Sequence, residues 1–209
     1  ISLNSSGLKD WNGSTLILGI FEESIEEQIR KLDTPHEKLL ITRLKGSHFK
    51  AKAEEVTVFQ LLGSTPTKLI LVGLGESENL LMDDLRKAAA IGARASLGSS
   101  GSLGILFPWN KYGHESTAIA VSEAIRLSLF KDLRFRSKPE PKIYPEELEL
   151  IGINHTAEKC LQKVPPICSG VELARELVGA PPNSLTPTGL AETAILISKE
   201  YGLEAKVLE

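Results

Sequence analysis

The stretch TKLILVGLGESEN, residues 67–79, holds the residues best placed for ligand chemistry. Gly73 and Gly75 follow an apolar run, like the first two glycines of a dinucleotide-binding turn, whose backbone N–H groups hold a pyrophosphate. Glu78 replaces the third glycine, and no acidic residue is clearly placed to contact a ribose hydroxyl. We interpret the stretch as a tight strand-to-helix turn, with nucleotide binding as the alternative. GSTPTK (63–68) lacks the second glycine of a P-loop and also predicts a turn.

Metal chemistry would require histidines or carboxylates at fixed spacing. HESTA, residues 114–118, begins like a zinc-protease helix, but Ala118 occupies the position of the second histidine, so the two-ligand face cannot form. The other histidines are isolated and are interpreted as surface or capping residues: His36, His48 and His155. No metal-binding residue is therefore predicted.

Paired carboxylates and a basic cluster are the remaining polar candidates. Glu22-Glu23 and Glu146-Glu147 lie at the edges of predicted elements, where charge is normally solvated. Arg134, Arg136 and Lys138 surround Phe135 and could contact phosphate, but acidic neighbours dilute the cluster: Asp132, Glu140, Glu146 and Glu147. We interpret it as a solvated loop and predict no catalytic or substrate-binding residue in this chain.

Composition excludes several classes of protein. The chain has 209 residues, 42% of them hydrophobic and 24% charged, which is typical of a globular protein that buries a core. Its net charge of −3 provides no general attraction to nucleic acid or anionic membranes. No apolar run approaches the roughly 20 residues that a membrane span needs.

The two cysteines and the asparagine triplets bear on cellular location. Cys160 and Cys168 have neither a zinc-site spacing nor a disulfide framework, so a reducing compartment is expected. Glycosylation-like triplets occur at Asn4, Asn12 and Asn154, and we interpret them as chance matches because no secretory leader precedes them.

Apolar strand-like runs alternate with helical patterns through the middle of the chain, an order typical of α/β folds. Predicted strands cover 15–21, 38–43, 55–62, 67–75, 102–108 and 147–153, and predicted helices cover 22–32, 79–97 and 115–131. The uninterrupted aliphatic run at 67–75 is typical of a strand covered on both faces. We therefore expect a sheet with helices on its faces.

The pattern changes after residue 153. A helical stretch from 155 is interrupted by Pro165-Pro166, and the capping-box spacing of Ser169 and Glu172 predicts that a new helix begins at Ser169. Thr186-Pro187 predicts the start of another helix, with an apolar face formed by Leu190, Ala194 and Ile197. Residues 203–209 predict a strand.

The segment ARELVGAPPNSLTPTGLAETAILISKEYGLEAKVLE, residues 174–209, resembles the start of the catalytic domain in the leucyl (cytosol) aminopeptidase family. The matching positions are Arg175-Glu176-Leu177, Pro182-Asn183, Leu185-Thr186-Pro187 and Tyr201-Gly202-Leu203. Gly179 departs from the family, which more usually has asparagine there. LILVGLGE, LRKAAAIGARA and FRSKPE are weaker upstream similarities to the family's N-terminal domain.

The resemblance implies a fold and a division of the chain. It implies a macro-domain-like N-terminal α/β sandwich with a mixed sheet over residues 1–153. A helical, proline-rich linker follows over 154–183, and the first βα unit of a truncated catalytic domain over 184–209. The second domain of family members holds two divalent metals, zinc or manganese, through side chains that this sequence lacks, so no catalytic or metal-binding residue can be assigned here.

The resemblance also implies an activity for the whole protein. Two metal ions would activate a bridging water to remove an N-terminal residue, often leucine, from peptide substrates. The implied assembly is a homohexamer in the cytoplasm, or in a plastid if a transit peptide preceded Ile1, with the N-terminal part serving assembly and regulation. The alternative function is a non-catalytic binding module, for ADP-ribose at Gly73 and the glycine turn 98–101 or, less favoured, for nucleic acid.

Overall fold

The described part of the chain contains a six-stranded sheet with helices on both faces. The computed structural model describes residues 1–4, 7–9, 11–32, 36–61, 63–138 and 142–208. The strands are β1 (Ser2–Asn4), β2 (Thr15–Ile20), β3 (Val56–Gln60), β4 (Lys68–Gly73), β5 (Ser102–Leu106) and β6 (Glu147–Ile151). The helices are α1 (Ile25–Lys31), α2 (Glu37–Lys45), α3 (Met82–Ser96), α4 (His114–Leu129), α5 (Glu158–Leu161), α6 (Val164–Gly179) and α7 (Pro187–Tyr201).

The sheet is mixed, as predicted. Its strand order is β1-β6-β5-β2-β4-β3, and every neighbouring pair is parallel except β3 with β4. All six residues of β4 are buried, which confirms that this aliphatic run is covered on both faces. Strand β1 was not predicted, because three residues without an apolar run give no periodic signal.

Two hydrophobic clusters form the core, one on each face of the sheet. Helices α3 and α4 cover the face that carries Ile17, Ile70 and Leu150. Gly92 permits close contact there, since a Cβ at this position would lie 2.8 Å from Ile17 Cγ2. The other face carries Leu18 and Leu71 and is covered by α1 and α2.

Helix α2 corrects the predicted strand at 38–43. Leu40, Ile41 and Leu44 recur at helical spacing, and they are the positions that pack in the core cluster of this face. The apolar run is too short for periodicity to separate the two alternatives, and packing on the sheet decides for the helix.

The start of helix α6 corrects the predicted helix start at Ser169. The helix begins at Val164 and runs through Ser169 without a break. Pro165 and Pro166 are tolerated because the first turn of a helix does not need their missing N–H groups.

Helix α7 confirms the predicted cap and contradicts the predicted strand after it. The Thr186 side chain accepts a hydrogen bond from Gly189 N, Pro187 begins the helix, and Gly202 ends it with a φ of 66°. Residues 203–208 are exposed and form no strand, and no strand in the described part of the chain pairs with them. Glu209 lies outside the described residues.

The chain divides into two compact units. The first comprises Ile1–Phe130 with Glu140–Cys168, and the second comprises Lys131–Pro139 with Ser169–Glu209. The core of the first unit includes Ala157, Leu161, Val164 and Cys168, so buried packing continues past Ile153. The division into domains at 153 and 183 stays a prediction. None of the helices in the described part of the chain is long and apolar enough to cross a bilayer.

Candidate functional site

The glycine turn after β4 is closed by the chain's own backbone. A Cβ on Gly73 would lie 2.1 Å from Lys52 O, so glycine is required for the close approach of residues 51–53. Gly73 N donates to Glu55 O at 2.7 Å, and Gly75 N donates to Ala51 O at 3.0 Å. These N–H groups, which would have to hold a phosphate, are already used.

The surroundings of this turn are acidic. Glu22, Glu23, Glu76 and Glu78 line an open cleft of about 360 Å³ beside it. The backbone N–H of Ser77 donates to the Glu23 carboxylate and lowers the pKa of that group, which favours its charged form. A phosphate in the cleft would therefore meet negative charge.

The second glycine turn lies at the opposite end of the parallel strands. Residues 98–101 precede β5, whereas Gly73 ends β4, and both strands run parallel to β2. The two turns therefore lie at opposite strand ends, and the structure does not bring the proposed ADP-ribose-binding elements together. Ser14 Oγ donates to Ser100 O at 2.6 Å, so part of the second turn is bound by the chain itself.

The zinc-protease-like segment forms the beginning of α4. His114 Nδ1 accepts the N–H of Asn154 at 3.0 Å, which leaves Nε2–H to donate to Asn110 Oδ1 at 2.6 Å. Cys160 Sγ lies 3.4 Å from Glu115 Oε2, and this hydrogen bond to a carboxylate raises the pKa of the Cys160 thiol. His114 and Glu115 thus join α4 to the segment that follows β6.

The other titratable candidates are dispersed. His36 Nε2 lies 2.9 Å from Thr65 O, His48 and His155 are exposed, and Cys168 is buried in the core. Within the described residues, no group of three or more His, Cys, Asp and Glu side chains is arranged to hold a metal ion.

The basic cluster is partly neutralised by neighbouring acidic groups. The Arg134 guanidinium donates to Asp132 at 2.6 and 2.8 Å and to Glu176 O at 2.6 Å. Hydrogen bonding from Arg134 lowers the pKa of Asp132 to about 2. Arg136 and Lys138 are exposed, and Glu140 lies outside the described residues. An engaged Arg134 does not favour a nucleic-acid interface.

The second unit exposes apolar side chains. Ser198 is the one buried residue among the described residues of this unit, 131–138 and 169–208. Val171, Ala174, Arg175, Val178 and Gly179 line a shallow, largely apolar pocket of about 420 Å³ on α6.

We call the large exposed hydrophobic side chains of this unit from α6 onward the C-terminal apolar set: Val178, Leu190, Leu196, Tyr201, Leu203, Val207 and Leu208. On α7, Leu190 and Ala194 of the predicted core face are exposed, and Ile197 is half-buried. Amphipathic elements normally bury such a face, so this set is the surface in the second unit best suited to contact another part of a protein.

Comparison with known proteins identifies the family of this chain. A sequence model described as "Cytosol aminopeptidase family, N-terminal domain" matches residues 17–139, more than half of the chain. This chain belongs to the cytosol aminopeptidase family. The match confirms the family resemblance that the sequence indicated.

The family relatives are considerably longer than this chain. It is 53% identical to the "Probable cytosol aminopeptidase" of Prochlorococcus marinus strain MIT 9313, over 100% of this chain and 43% of the relative. It is 45% identical to the protein of the same name from Synechococcus sp. strain CC9311, over 100% of this chain and 42% of the relative. The chain therefore spans less than half the length of these relatives.

Two solved structures share the fold. A mutant of tomato leucine aminopeptidase matches 97% of this chain and 43% of its own, with a TM-score of 0.75 and 25% sequence identity. The bottromycin maturation enzyme BotP matches 91% of this chain and 38% of its own, with a TM-score of 0.69 and 20% identity, which speaks to the fold alone. The predicted α/β architecture is confirmed.

Proposed function

We propose that this chain is the N-terminal part of a metal-dependent leucyl aminopeptidase, and that it serves assembly and regulation rather than catalysis. The whole enzyme would remove N-terminal residues, preferably leucine, from peptides. It would assemble as a homohexamer in the cytoplasm, in keeping with the name cytosol aminopeptidase that its relatives carry.

The observation that carries this proposal is that the whole chain matches less than half of its relative. All of this chain aligns with the Prochlorococcus relative, yet it accounts for only 43% of that protein, and the matching family description is that of an N-terminal domain. The remaining part of such a protein has no counterpart here, and we place the chemistry there.

Two divalent metals, zinc or manganese, would supply the activated water and polarise the scissile carbonyl in the whole enzyme. A structure of BotP is described as a complex with Mn. The described residues of this chain offer no matching set of donors, so we derive no step of the reaction for them.

The C-terminal apolar set also supports the proposal. Its side chains are exposed on a segment that resembles the entry to the catalytic domain. The remaining part of the enzyme would cover them, and burying large apolar side chains is the main driving force of such docking.

Complementation tests the proposal. The 209-residue chain and the unmatched remainder of the Prochlorococcus relative are assayed separately and after co-expression, with a leucyl chromogenic substrate and added Mn²⁺ or Zn²⁺. We expect no chelator-sensitive hydrolysis by this chain alone, and more hydrolysis by the co-expressed pair than by the remainder alone. Hydrolysis by the 209-residue chain alone, abolished by a chelator, would contradict the assignment of catalysis to the remainder.

A further inference from the structure

Strand β3 forms one end of the sheet and leaves regularly spaced hydrogen-bonding groups unpaired. Leu61 N donates to Thr67 O at 2.8 Å, and Gly73 N donates to Glu55 O at 2.7 Å, so the odd-numbered residues of this segment bond toward β4. Antiparallel pairing alternates, and the N–H and C=O groups of Val56, Val58 and Gln60 therefore point away from β4. In the described part of the chain, no strand pairs with this edge.

The side chains of β3 do not protect this edge. Val56 and Val58 are 41% and 40% exposed, on the face that carries their register partners Val72 and Ile70. The strand reads VTVFQ, with no charged residue and no proline. Sheet edges in natural proteins usually carry such residues, because an unprotected edge is a template for another strand. The edge of β3 is therefore suited to be covered by a strand.

The sequence of β3 is compatible with a second copy of itself. In an antiparallel pair of full overlap, centred on Val58, the outward groups of Val58 would meet Val58 and those of Val56 would meet Gln60. Thr57 would lie opposite Phe59, an aromatic–β-branched pair of the kind that stabilises sheets. Glu55 would lie opposite Leu61, so the pairing places no like charges opposite each other.

We propose that two copies of this chain pair antiparallel through β3, about a twofold axis at Val58, so that their sheets become continuous. The partner is a second copy, because one register aligns the outward N–H and C=O groups of Val56, Val58 and Gln60 and also places compatible side chains opposite each other from Glu55 to Leu61. This inference names the surface through which the chain would serve assembly. Only the statement that the pair forms within a larger aminopeptidase rests on the proposed function.

A charge exchange at the axis tests the pairing. Val58→Lys and Val58→Glu each place two like charges opposite each other across the pair, and such contacts are destabilising. In sedimentation velocity of the 209-residue chain, we expect the self-association constant of each variant to fall by about tenfold or more. An equimolar mixture should recover association to within about threefold of the unmodified chain, because Lys then faces Glu.

Matched variants separate this edge from other surfaces and from misfolding. Leu39→Lys and Leu39→Glu introduce the same charges at a position of α2 that is 40% exposed, as Val58 is, and should leave association unchanged. Val58→Pro removes one outward N–H while leaving the β4 ladder intact, so association should be lost with the circular dichroism spectrum retained.

Amide hydrogen exchange supplies a second readout of the edge. In the associated form, the amides of Val56, Val58 and Gln60 should become protected on concentration, whereas those of Thr57 and Phe59 are protected at every concentration. A monomeric wild-type chain, or Val58 variants that associate as the wild type does, would overturn the pairing. Failure of the mixture to recover association would overturn the twofold axis at Val58. None of these outcomes depends on the peptidase assay, which tests the proposed function separately.

Discussion

The two ends of helix α6 place the same residue type in opposite surroundings. Val164, in the first turn, is 0% exposed and packs in the core of the first unit. Val178, near the last turn, is 88% exposed and belongs to the second unit. Helix propensity is identical at the two positions, so the difference arises entirely from what surrounds each side chain.

The same contrast holds for the two units as wholes. In the first, apolar residues on both faces of the sheet lie under helices, and β4 is buried along its full length. In the second, apolar residues of α6 and α7 recur at helical spacing but are exposed or only half-buried. An exposed apolar face of this kind marks an interaction surface in the second unit, whereas the first unit already has a core of its own.

Core truncation should give the largest difference between the units. Replacing Ile70, which is fully buried, by alanine should lower the free energy of unfolding by about 2–5 kcal/mol, because the transfer and cavity costs add. Leu196→Ala, at a 66% exposed position of α7, should change it by less than about 0.5 kcal/mol. Urea denaturation followed by circular dichroism measures both free energies of unfolding. Equal losses in the two variants would contradict the difference between a buried first unit and an exposed second unit.

Glycine substitutions in the two units should change the free energy of unfolding by smaller amounts and with opposite signs. Gly73→Ala places a Cβ against Lys52 O and should cost about 1–3 kcal/mol, as overpacking does. Gly170 lies within α6 with nothing inside 4 Å of a built Cβ. Gly170→Ala should therefore stabilise by up to about 1 kcal/mol through helix propensity. Thermal unfolding of the two variants checks the signs, and a stable Gly73→Ala chain would show that residues 51–53 can move away.

The two valines of α6 provide the closest matched pair. Val164→Ala removes two buried carbon groups and should cost about 1–2 kcal/mol, whereas Val178→Ala should cost less than about 0.5 kcal/mol. Denaturant midpoints at constant m-value measure the difference. A neutral Val164→Ala would indicate that the first unit does not need the beginning of α6, in agreement with the boundary predicted at 153.

The smallest effect concerns Asp132 and Arg134 in the second unit. The carboxyl of Asp132 should titrate with a pKa of about 2 because Arg134 donates hydrogen bonds to it, and Arg134→Gln should return it toward 4, the usual range for Asp. Since the folded-state pKa is depressed, the contribution to stability is present above pH 4 and is lost as the pH falls toward 2. NMR titration of the Asp132 carboxyl carbon checks this, and an unchanged midpoint in Arg134→Gln would remove Arg134 as the cause.

The sequence predicted the first unit better than the second for physical reasons. The aliphatic run at 67–75 is a signal that burial on both faces of a sheet requires, and all six residues of β4 are buried in the structure. Residues 38–43 were predicted as a strand because a short apolar run has no decisive period, and only packing of α2 on the sheet resolves it.

The C-terminal errors share another cause. Ser169 has the spacing of a capping box, yet the prolines at 165 and 166 fit the first turn of the helix that already begins at Val164. Residues 203–208 have the composition of a strand but no neighbouring strand in the described part of the chain. Local sequence cannot provide a hydrogen-bonding partner, and a strand does not form without one. The outward groups of β3 were not predicted either, because strand order is a tertiary property.

The central claim is that the second unit awaits a covering partner. Amide hydrogen exchange over residues 204–208 tests it most directly, because Leu203 N already donates to Ser198 O at 2.8 Å. The 209-residue chain is measured in dilute solution, alone and co-expressed with the unmatched remainder of the Prochlorococcus relative. We expect exchange close to the unfolded rate in the chain alone and at least about tenfold slower in the co-expressed pair, since a buried strand gains hydrogen-bonding partners. If these amides are already as protected as those of β4 in the dilute chain, the second unit is complete by itself and the account is contradicted.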